Sequence, residues 1–462
     1  MLHSELTPEQ AASRRPNVIW ILCDQLRAQT LGYRGDDNLY TPNIDNLARM
    51  GVRFDAAVSG APWCAPFRGA LLTSLYPHQN GVNRTPSPLR PDIPTIARTF
   101  NKEGYHTAWV GKWHLDGSNT AQHYVPPERR GGFAYWMGYE CNDNQNEAYI
   151  FGSDDETVRR LDGYETDALT DIMIGHLRKH CQTPSPDGSY QPFFAALSVV
   201  APHNPFVTPP VLERCDYGNR RELKLRANVP PVDWVQQKAR MDLAGYCGMI
   251  ENLDRNIGRL RRTLQELNVD RETYVVFFSD HGDCLGSHAQ WGKSSPWEEA
   301  IRIPFIIAKE DGANPVAKGV SDAVINHVDI APTTLGLCGI ATPEGMTGYD
   351  YSPLVTGNRQ TRAETERQPE PDSAYLQQIP RKYHRHSVNQ AWRGVLMRDG
   401  WKYVCMPGHD WLLFDTRSDP YELANLCYDT VFQAQRERCH ARLQQWIDET
   451  GDRFELPEVR IR

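Results

Sequence analysis

The chain has 462 residues, 40% of them hydrophobic, so it can bury a sizeable core and is longer than a typical single domain. Its 50 basic and 58 acidic residues give a formal net charge of −8, which argues against a general nucleic-acid-binding protein, because such proteins need a strong basic field. An anionic substrate stays compatible with this charge, since a local pocket of Lys, Arg and His can oppose it.

The cysteines and the N-terminal segment bear on the compartment. Eleven cysteines are dispersed along the chain, without a CxxC pair or the Cys/His spacing of a zinc site. This pattern predicts mostly free thiols in a reducing compartment. No secretory signal precedes the first charged residues, so the expected location is cytoplasmic, or periplasmic if a leader has been removed. No apolar run is long enough to predict a membrane span.

Hydrophobic periodicity predicts alternating strands and helices in the first part of the chain. Apolar runs rich in β-branched and aromatic residues predict strands at 17–23, 107–110, 192–200 and 273–279. Amphipathic segments with capping signals predict helices at 42–50, 94–103, 165–179 and 241–267. This alternation predicts an α/β fold with a large mixed, mostly parallel sheet sandwiched by helices.

The composition changes after about residue 357. A polar, proline-containing stretch at 358–372 reads as a surface loop or linker. Short strand-like pieces follow it at 392–397, 401–405 and 411–414, and a helix is predicted at 430–449. We therefore expect two units, a large α/β domain at 1–370 and a C-terminal α+β subdomain at 371–462, with a small antiparallel sheet and a terminal helix.

Polar residues follow two of the predicted strands. Asp24 and Gln25 come directly after the first strand, and Asp280 and His281 follow the strand at 273–279. Ligands of open α/β sheets bind beyond the carboxyl ends of the strands. Two such ends together predict a divalent-cation site, in which the oxygen donors favour Ca²⁺ and the imidazole leaves room for Mn²⁺. The alternative for a single Asp after a strand is a helix cap.

The stretch CAPFR at 64–68 leads into a Leu-rich helix. Taken alone, it fits a buried cysteine before a helix start, with Pro66 in the first turn. Together with its surroundings it resembles the maturation signature of type I, formylglycine-dependent sulfatases of the alkaline-phosphatase superfamily. The resemblance runs from Pro16 to about Ala331 in ordered blocks: RPNVIWILCDQ, TPNIDNLARMGVRFDAAV, CAPFR, GYHTAWVGKWHL, APHNPF and FFSDHGDCLGSHAQWGK. VNQAWRGVLMRDGWKYV and LLFDTRSDPYELANL resemble the family's C-terminal subdomain.

The resemblance implies a nucleophile and a metal site. Cys64 would be oxidised to formylglycine by a sulfatase-maturating enzyme, and the hydrated aldehyde would be the nucleophile, with one oxygen on the metal. The other ligands would be Asp24, Gln25, Asp280 and His281. The family often has a second Asp where this chain has Gln25, and many members have Asn where it has His281. The Gln and His forms also occur in members that hydrolyse phosphonate monoesters and phosphodiesters, which keeps that activity as an alternative.

The resemblance also implies roles for five basic residues. Arg68 would fix and polarise the nucleophile, while Lys112 and Lys293 would hold the sulfate oxygens. His114 would take a proton from the second hydroxyl of the hydrate, and His203 would protonate the leaving alcohol, a role that suits imidazole near neutral pH. Taken singly, each lysine could be a solvated surface residue and each histidine a capping or core residue.

The substrate is predicted from an aromatic, polar tract at 133–151. Aromatic faces beside Asn and Asp suit sugar rings, so we expect a sulfated glycan or small sulfated molecule, contacted by Trp136 and by Asn83 and Arg84 after the signature helix. The alternative for the tract is a surface loop that packs its aromatics on the domain. A catalytically silent relative that binds anionic glycans is the alternative at the level of the whole protein. Oligomeric state is not predicted.

Overall fold

The computed structural model describes residues 15–153, 156–183, 191–207, 209, 222–311, 316–357, 369–379 and 388–458. Its strands are β1 Asn17–Cys23, β2 Val52–Phe54, β3 His106–Lys112, β4 Tyr135–Tyr139, β5 Tyr149–Ile150, β6 Arg159–Arg160, β7 Phe193–Ser198, β8 Thr273–Ser279, β9 Phe305–Ala308, β10 Gly319–Ser321, β11 Ser373–Gln378, β12 Trp392–Met397, β13 Trp401–Met406 and β14 His409–Asp415. Its α-helices are Pro42–Met50, Cys64–Thr73, Pro77–Asn80, Ile96–Lys102, Glu165–Gln182, Asp233–Glu266, Glu298–Ile301, Ile330–Leu337, Ser352–Thr356 and Gln433–Thr450.

Eight strands form the main sheet in the order β10-β2-β9-β8-β1-β7-β3-β4. The central strands β8, β1, β7 and β3 are parallel, as are β3 with β4 and β10 with β2, whereas β9 runs antiparallel to both β8 and β2. A second, four-stranded antiparallel sheet has the order β11-β12-β13-β14 and is followed by the terminal helix. The predicted fold class is therefore confirmed, while the division at residue 370 stays a prediction.

Strand β1 shows why the first apolar run could be identified from sequence. All seven of its residues are buried. Val18, Trp20 and Leu22 pack into the core on one face of the sheet, whereas Ile19 and Ile21 pack into the core on the other face. A central parallel strand is covered by helices on both faces, so it needs apolar residues at every position. Strand β1 therefore lacks the alternation of polar and apolar residues that a half-exposed strand shows.

The sequence analysis missed short and edge strands. It did not predict β2, β9, β10 or β11, and it placed the start of the long helix at residue 241, whereas the helix begins at Asp233. Strand β4 lies at the edge of the main sheet, inside the tract that was considered as a substrate surface. The strands β2, β9 and β10 have only three or four residues and carry too little periodicity to be distinguished from loops, whereas the six-residue β11 lies at the edge of the second sheet. In the part of the chain that the structure describes, no helix is long and apolar enough to span a membrane.

Three histidines stack at the end of the sheet remote from Asp24. His106 begins β3, and its ring stacks on His180 at 4.6 Å and on His176 at 5.1 Å between ring centroids. The Nε2 atoms of His106 and His176 lie 3.0 Å apart, so they can share only one proton. Burial lowers the pKa of His106 to about 4 and that of His176 to about 3, with neighbouring histidines adding to both shifts.

This cluster predicts a loss of stability in acid. The folded pKa values lie below the value of about 6.5 for an unfolded histidine, so the unfolded state takes up protons first and stability falls as pH drops from about 6.5 towards about 4. His176→Gln keeps a hydrogen-bonding group beside His106 but does not titrate. We expect the melting temperature of this variant to fall less between pH 7 and pH 5 than that of the wild type. An equal fall in melting temperature between pH 7 and pH 5 for the variant and the wild type would contradict this prediction.

Candidate active site

The carboxyl ends of β1 and β8 bring the predicted metal ligands together. Cys23 is the partner of Ser279 in the parallel register, so Asp24 and Asp280 leave the sheet side by side. The backbone N–H of Gln25 donates to Asp280 Oδ1 at 3.0 Å, and Gln25 adopts a left-handed backbone with φ of 71°. His281 follows Asp280, and its Nδ1 lies 3.0 Å from the carbonyl oxygen of Gly282. The side chains of these residues are fully buried.

Cys64 enters this cluster from the first position of the helix Cys64–Thr73. Its Sγ lies 3.2 Å from His281 Nε2 and 3.6 Å from Asp24 Oδ1. One ligand atom from each of Asp24, Cys64, Asp280 and His281 lies within 4.8 Å of all the others. Two carboxylates and an imidazole are a donor set that fits a hard or borderline divalent cation. The Gln25 amide oxygen is linked to this group through Lys293 Nζ, which contacts both Gln25 Oε1 and Cys64 Sγ.

Arg68 lies one turn along the same helix and is fully buried. It donates to the carbonyl oxygen of Lys112 at 2.9 Å and to Ser198 Oγ at 2.8 Å. Its other terminal nitrogen lies 3.4 Å from Asp24 Oδ2 and 3.5 Å from Asp280 Oδ2. The guanidinium therefore ties the helix Cys64–Thr73 to the surrounding strand ends and offsets the charge of both carboxylates.

Two lysines complete the basic lining. Lys112 ends β3, and its Nζ lies 2.7 Å from Asp24 Oδ2. Lys293 Nζ donates to Cys64 Sγ at 3.0 Å and to Gln25 Oε1 at 2.9 Å. The same Nζ lies 2.8 Å from Nε2 of the partly exposed His203. Lys293 therefore lies between the buried cluster and solvent.

His114 is held by a residue that the sequence analysis missed. It has a left-handed backbone with φ of 62°. The buried Glu140 accepts hydrogen bonds from the backbone N–H groups of Leu115, Asp116 and Gly117 at 3.1, 2.7 and 2.9 Å, which fixes the loop after His114. Burial and Lys112 lower the pKa of His114, although Cys64 opposes the shift. Glu140 directly follows β4, so recognising that edge strand would have placed it at this end of the sheet.

Charge in the cluster is strongly coupled. Burial opposes ionisation of the Cys64 thiol, but Lys293 and Lys112 outweigh it, so the pKa of Cys64 lies well below its ordinary value. Burial and Cys64 raise the pKa of Asp24, yet Lys112, His203 and Lys293 bring it below the usual range. Burial and the neighbouring Asp24 hold the pKa of Asp280 above its usual value. The site therefore favours negative charge at Asp24 and at residue 64.

The three predicted substrate contacts differ in their exposure to solvent. Asn83 is partly exposed and Arg84 is exposed, just beyond the helix Pro77–Asn80. Trp136 is 1% exposed and belongs to the main core, with the Arg130 guanidinium 4.5 Å from its ring centroid. It therefore cannot contact a substrate without rearrangement of the core. The expectation for Trp136 was mistaken because it lies on β4, where alternate side chains point into the core.

Comparison with known proteins agrees with this geometry. The family model described as Sulfatase matches residues 16–340, and the model described as N-sulphoglucosamine sulphohydrolase, C-terminal, matches residues 286–449. The ulvan-active sulfatase of Formosa agariphila is 33% identical over 449 residues, covering 96% of this chain and 84% of the relative. The endo-4-O-sulfatase of Bacteroides thetaiotaomicron is 30% identical over 478 residues, covering 91% of this chain and 90% of the relative.

A solved structure related to the metabolism of multiple glycosaminoglycans by Bacteroides thetaiotaomicron superposes with a TM-score of 0.82. It is 26% identical and covers 95% of this chain and 97% of that chain. The chain belongs to the sulfatase family of the alkaline-phosphatase superfamily, and its enzyme class is that of the sulfuric ester hydrolases.

Proposed function

We propose that this chain hydrolyses a sulfate monoester on a carbohydrate, with formylglycine made from Cys64 as the nucleophile and a divalent cation held by Asp24, Gln25, Asp280 and His281. The convergence of Cys64 with the carboxylates and Lys293 supports the proposal most strongly, because Sγ lies within 3.6 Å of Asp24, His281 and Lys293 atoms. Ca²⁺ is the first candidate ion because oxygen donors predominate, and Mn²⁺ is the second because of the imidazole.

Formylglycine requires a maturation enzyme. Cys64 is 3% exposed, so an enzyme could reach its thiol only before the chain has folded. Co-expression with a sulfatase-maturating enzyme is therefore the appropriate way to obtain the active form. The hydrated aldehyde would then supply a nucleophilic hydroxyl, and a cation held by Asp24, Gln25, Asp280 and His281 would supply positive charge that lowers the pKa of this hydroxyl.

We assign the positioning of residue 64, the binding of the sulfate oxygens and the proton transfers to the basic residues of the site. Arg68 holds position 64 in place through its bonds to the ends of β3 and β7. Lys112 and Lys293 provide ammonium groups for the oxygens of a tetrahedral anion. Burial and Lys112 lower the pKa of His114, which favours its neutral ring, and we assign one of its ring nitrogens as the acceptor of the proton when the aldehyde re-forms and releases sulfate. His203 lies nearest to solvent and can donate a proton to the leaving alcohol.

The carbohydrate part of the proposal is supported by the relatives and by an exposed arginine that follows the helix Pro77–Asn80. One relative is named an ulvan-active sulfatase and the other an endo-4-O-sulfatase, and we extend a glycan sulfate as substrate class to this chain. Arg84 is exposed and makes no ion pair in the described part of the chain, so it is free to pair with a neighbouring sulfate or carboxylate of a glycan.

A substrate panel tests the reaction type. Matured enzyme would be assayed with 4-nitrophenyl sulfate, sulfated glycans, and the matched 4-nitrophenyl phosphate monoester, phosphodiester and phosphonate. The proposal predicts that a sulfate ester has the highest kcat/KM. A phosphonate or phosphodiester that exceeds every sulfate would mean that Gln25 and His281 mark the alternative activity. Tight glycan binding without turnover of any ester by matured enzyme would indicate the catalytically silent relative.

Arg84→Ala tests the glycan contact. We expect kcat/KM to fall by about tenfold for the sulfated glycan and to change less than about twofold for 4-nitrophenyl sulfate, because a remote contact is lost only with the larger substrate. Arg90→Ala is the matched control, since Arg90 lies in the same segment and its exposed guanidinium pairs with Asp92. Equal losses on the two substrates would contradict a glycan contact at Arg84.

A further inference from the structure

Asp283 is a buried carboxylate beside the candidate cation site, and none of the roles above uses it. It is 2% exposed and lies three residues after Asp280. Its Oδ1 accepts the backbone N–H groups of Leu285 at 2.7 Å and Gly292 at 3.0 Å. Its Oδ2 accepts a hydrogen bond from Gln25 Nε2 at 2.6 Å. Both carboxylate oxygens are therefore occupied, one by the loop that carries Lys293 and the other by a predicted metal ligand.

The hydrogen bonds around Gln25 select one orientation of its amide. An amide can turn either its oxygen or its NH₂ group towards a site, and the neighbours decide which. A carboxylate only accepts, so the NH₂ group must face Asp283, and the amide oxygen accepts from Lys293 Nζ at 2.9 Å. The NH₂ group also donates to Asn204 Oδ1 at 3.1 Å, but the Asn204 amide can itself turn, so Asp283 is the acceptor that fixes the orientation. The backbone of Gln25 is fixed as well, because its N–H donates to Asp280 and its carbonyl accepts from Tyr246 at 2.6 Å.

We propose that Asp283 is a positioning residue that turns the Gln25 amide oxygen towards the cation site. It also places a carboxylate next to the position where sulfatases often carry a second Asp as ligand. In such sulfatases the ligand itself carries this negative charge. In this chain the charge lies on Asp283, which is one hydrogen bond away from the predicted ligand Gln25. This inference rests on the proposed function, because it concerns the cation that the same site would bind.

This geometry suggests a test in which the carboxylate of Asp283 and the amide of Gln25 are exchanged by the isosteric substitutions Asp283→Asn and Gln25→Glu. In Asp283→Asn the single amide oxygen has to serve three N–H donors, so one contact fails and Gln25 loses its fixed orientation. In Gln25→Glu two carboxylates face each other across the present 2.6 Å contact, and the new side chain has to turn away. In the double variant the amide NH₂ introduced at position 283 donates to the carboxylate introduced at position 25, and the amide oxygen still accepts from Leu285 and Gly292. The hydrogen bond is reversed and the total charge is unchanged.

Calcium affinity of matured enzyme, measured by isothermal titration calorimetry, tests the proposal as a double-mutant cycle. We expect each single variant to bind Ca²⁺ about tenfold or more weakly than the wild type, the range that supporting groups around metal ligands show. The double variant should recover most of that loss. Asp242→Asn is the matched control, because it removes a nearby carboxylate that pairs with Lys238 and should leave the affinity unchanged.

The outcomes separate the two proposals. If the wild type binds no divalent cation, the cation site of the proposed function is wrong and the positioning role falls with it. If the wild type binds Ca²⁺ but the double variant loses as much affinity as the two single variants combined, Asp283 only anchors its loop and this inference alone is overturned. Should Asp283→Asn not fold, Gln25→Glu and the double variant still decide, since adding Asp283→Asn to Gln25→Glu must restore affinity.

Discussion

Cys64→Ala is expected to remove turnover of sulfate esters while leaving the fold intact. The fall in kcat should be at least about a thousandfold, because the proposed nucleophile and its alignment with the charged groups are lost together. Cys64 is a small side chain at a helix start, and alanine is compatible with that position. Steady-state kinetics on 4-nitrophenyl sulfate and circular dichroism measure the two parts of this prediction.

The matched control for this variant is Cys439→Ala. Cys439 lies on the terminal helix and is buried in the core that this helix shares with the second sheet, and its truncation creates a cavity without removing any residue of the candidate site. We expect it to lower the melting temperature and to retain turnover. Turnover by Cys64→Ala at a rate near that of the wild type would rule out residue 64 as the nucleophile.

Asp280→Asn is expected to abolish cation binding and to lower kcat/KM by a factor on the order of a thousand. The variant keeps the shape of the side chain but removes a carboxylate from the donor set. It also weakens the pairing with Arg68 and the hydrogen bond from the Gln25 N–H. Metal content by mass spectrometry and kinetics at saturating Ca²⁺ check the two effects separately.

Asp254→Asn provides the comparison for Asp280→Asn. Asp254 is a buried carboxylate that accepts from the N–H groups of Asn43 and Ile44 at the start of a helix, away from the site. Its replacement should reduce stability and leave the metal content unchanged, because the loss is confined to a helix cap. Bound cation in Asp280→Asn at the level of the wild type would contradict the proposed ligand set.

The residues of the site that could be predicted from sequence are those that belong to short, local sequence patterns. Asp24 and Asp280 follow fully buried strands, and parallel strands place such positions at one edge whatever the intervening length. The signature around Cys64 is equally local. The structure brings all of the predicted nucleophile, metal and proton-transfer residues to one end of the sheet, although their roles stay predictions.

The rest depends on tertiary contacts that periodicity does not encode. Glu140 and Asp283 act on backbone N–H groups and on one amide, and neither the strand before Glu140 nor the sequence block that contains Asp283 indicates which groups they bind. Trp136 was assigned to a substrate surface because aromatic faces beside Asn and Asp suit sugar rings, yet a short edge strand turns it into the core. Strand pairing decides which side chains of a strand are buried, and the sequence of the aromatic tract at 133–151 does not show how β4 is paired.

Conversion of Cys64 is the central claim, and one measurement tests it most directly. Enzyme would be prepared with graded amounts of a sulfatase-maturating enzyme, and the peptide containing residue 64 would be quantified by mass spectrometry alongside kcat on a sulfate ester. The account predicts that kcat rises in proportion to the fraction of peptide carrying the aldehyde and extrapolates to zero at none. Full activity in a preparation whose Cys64 is entirely unmodified would contradict it.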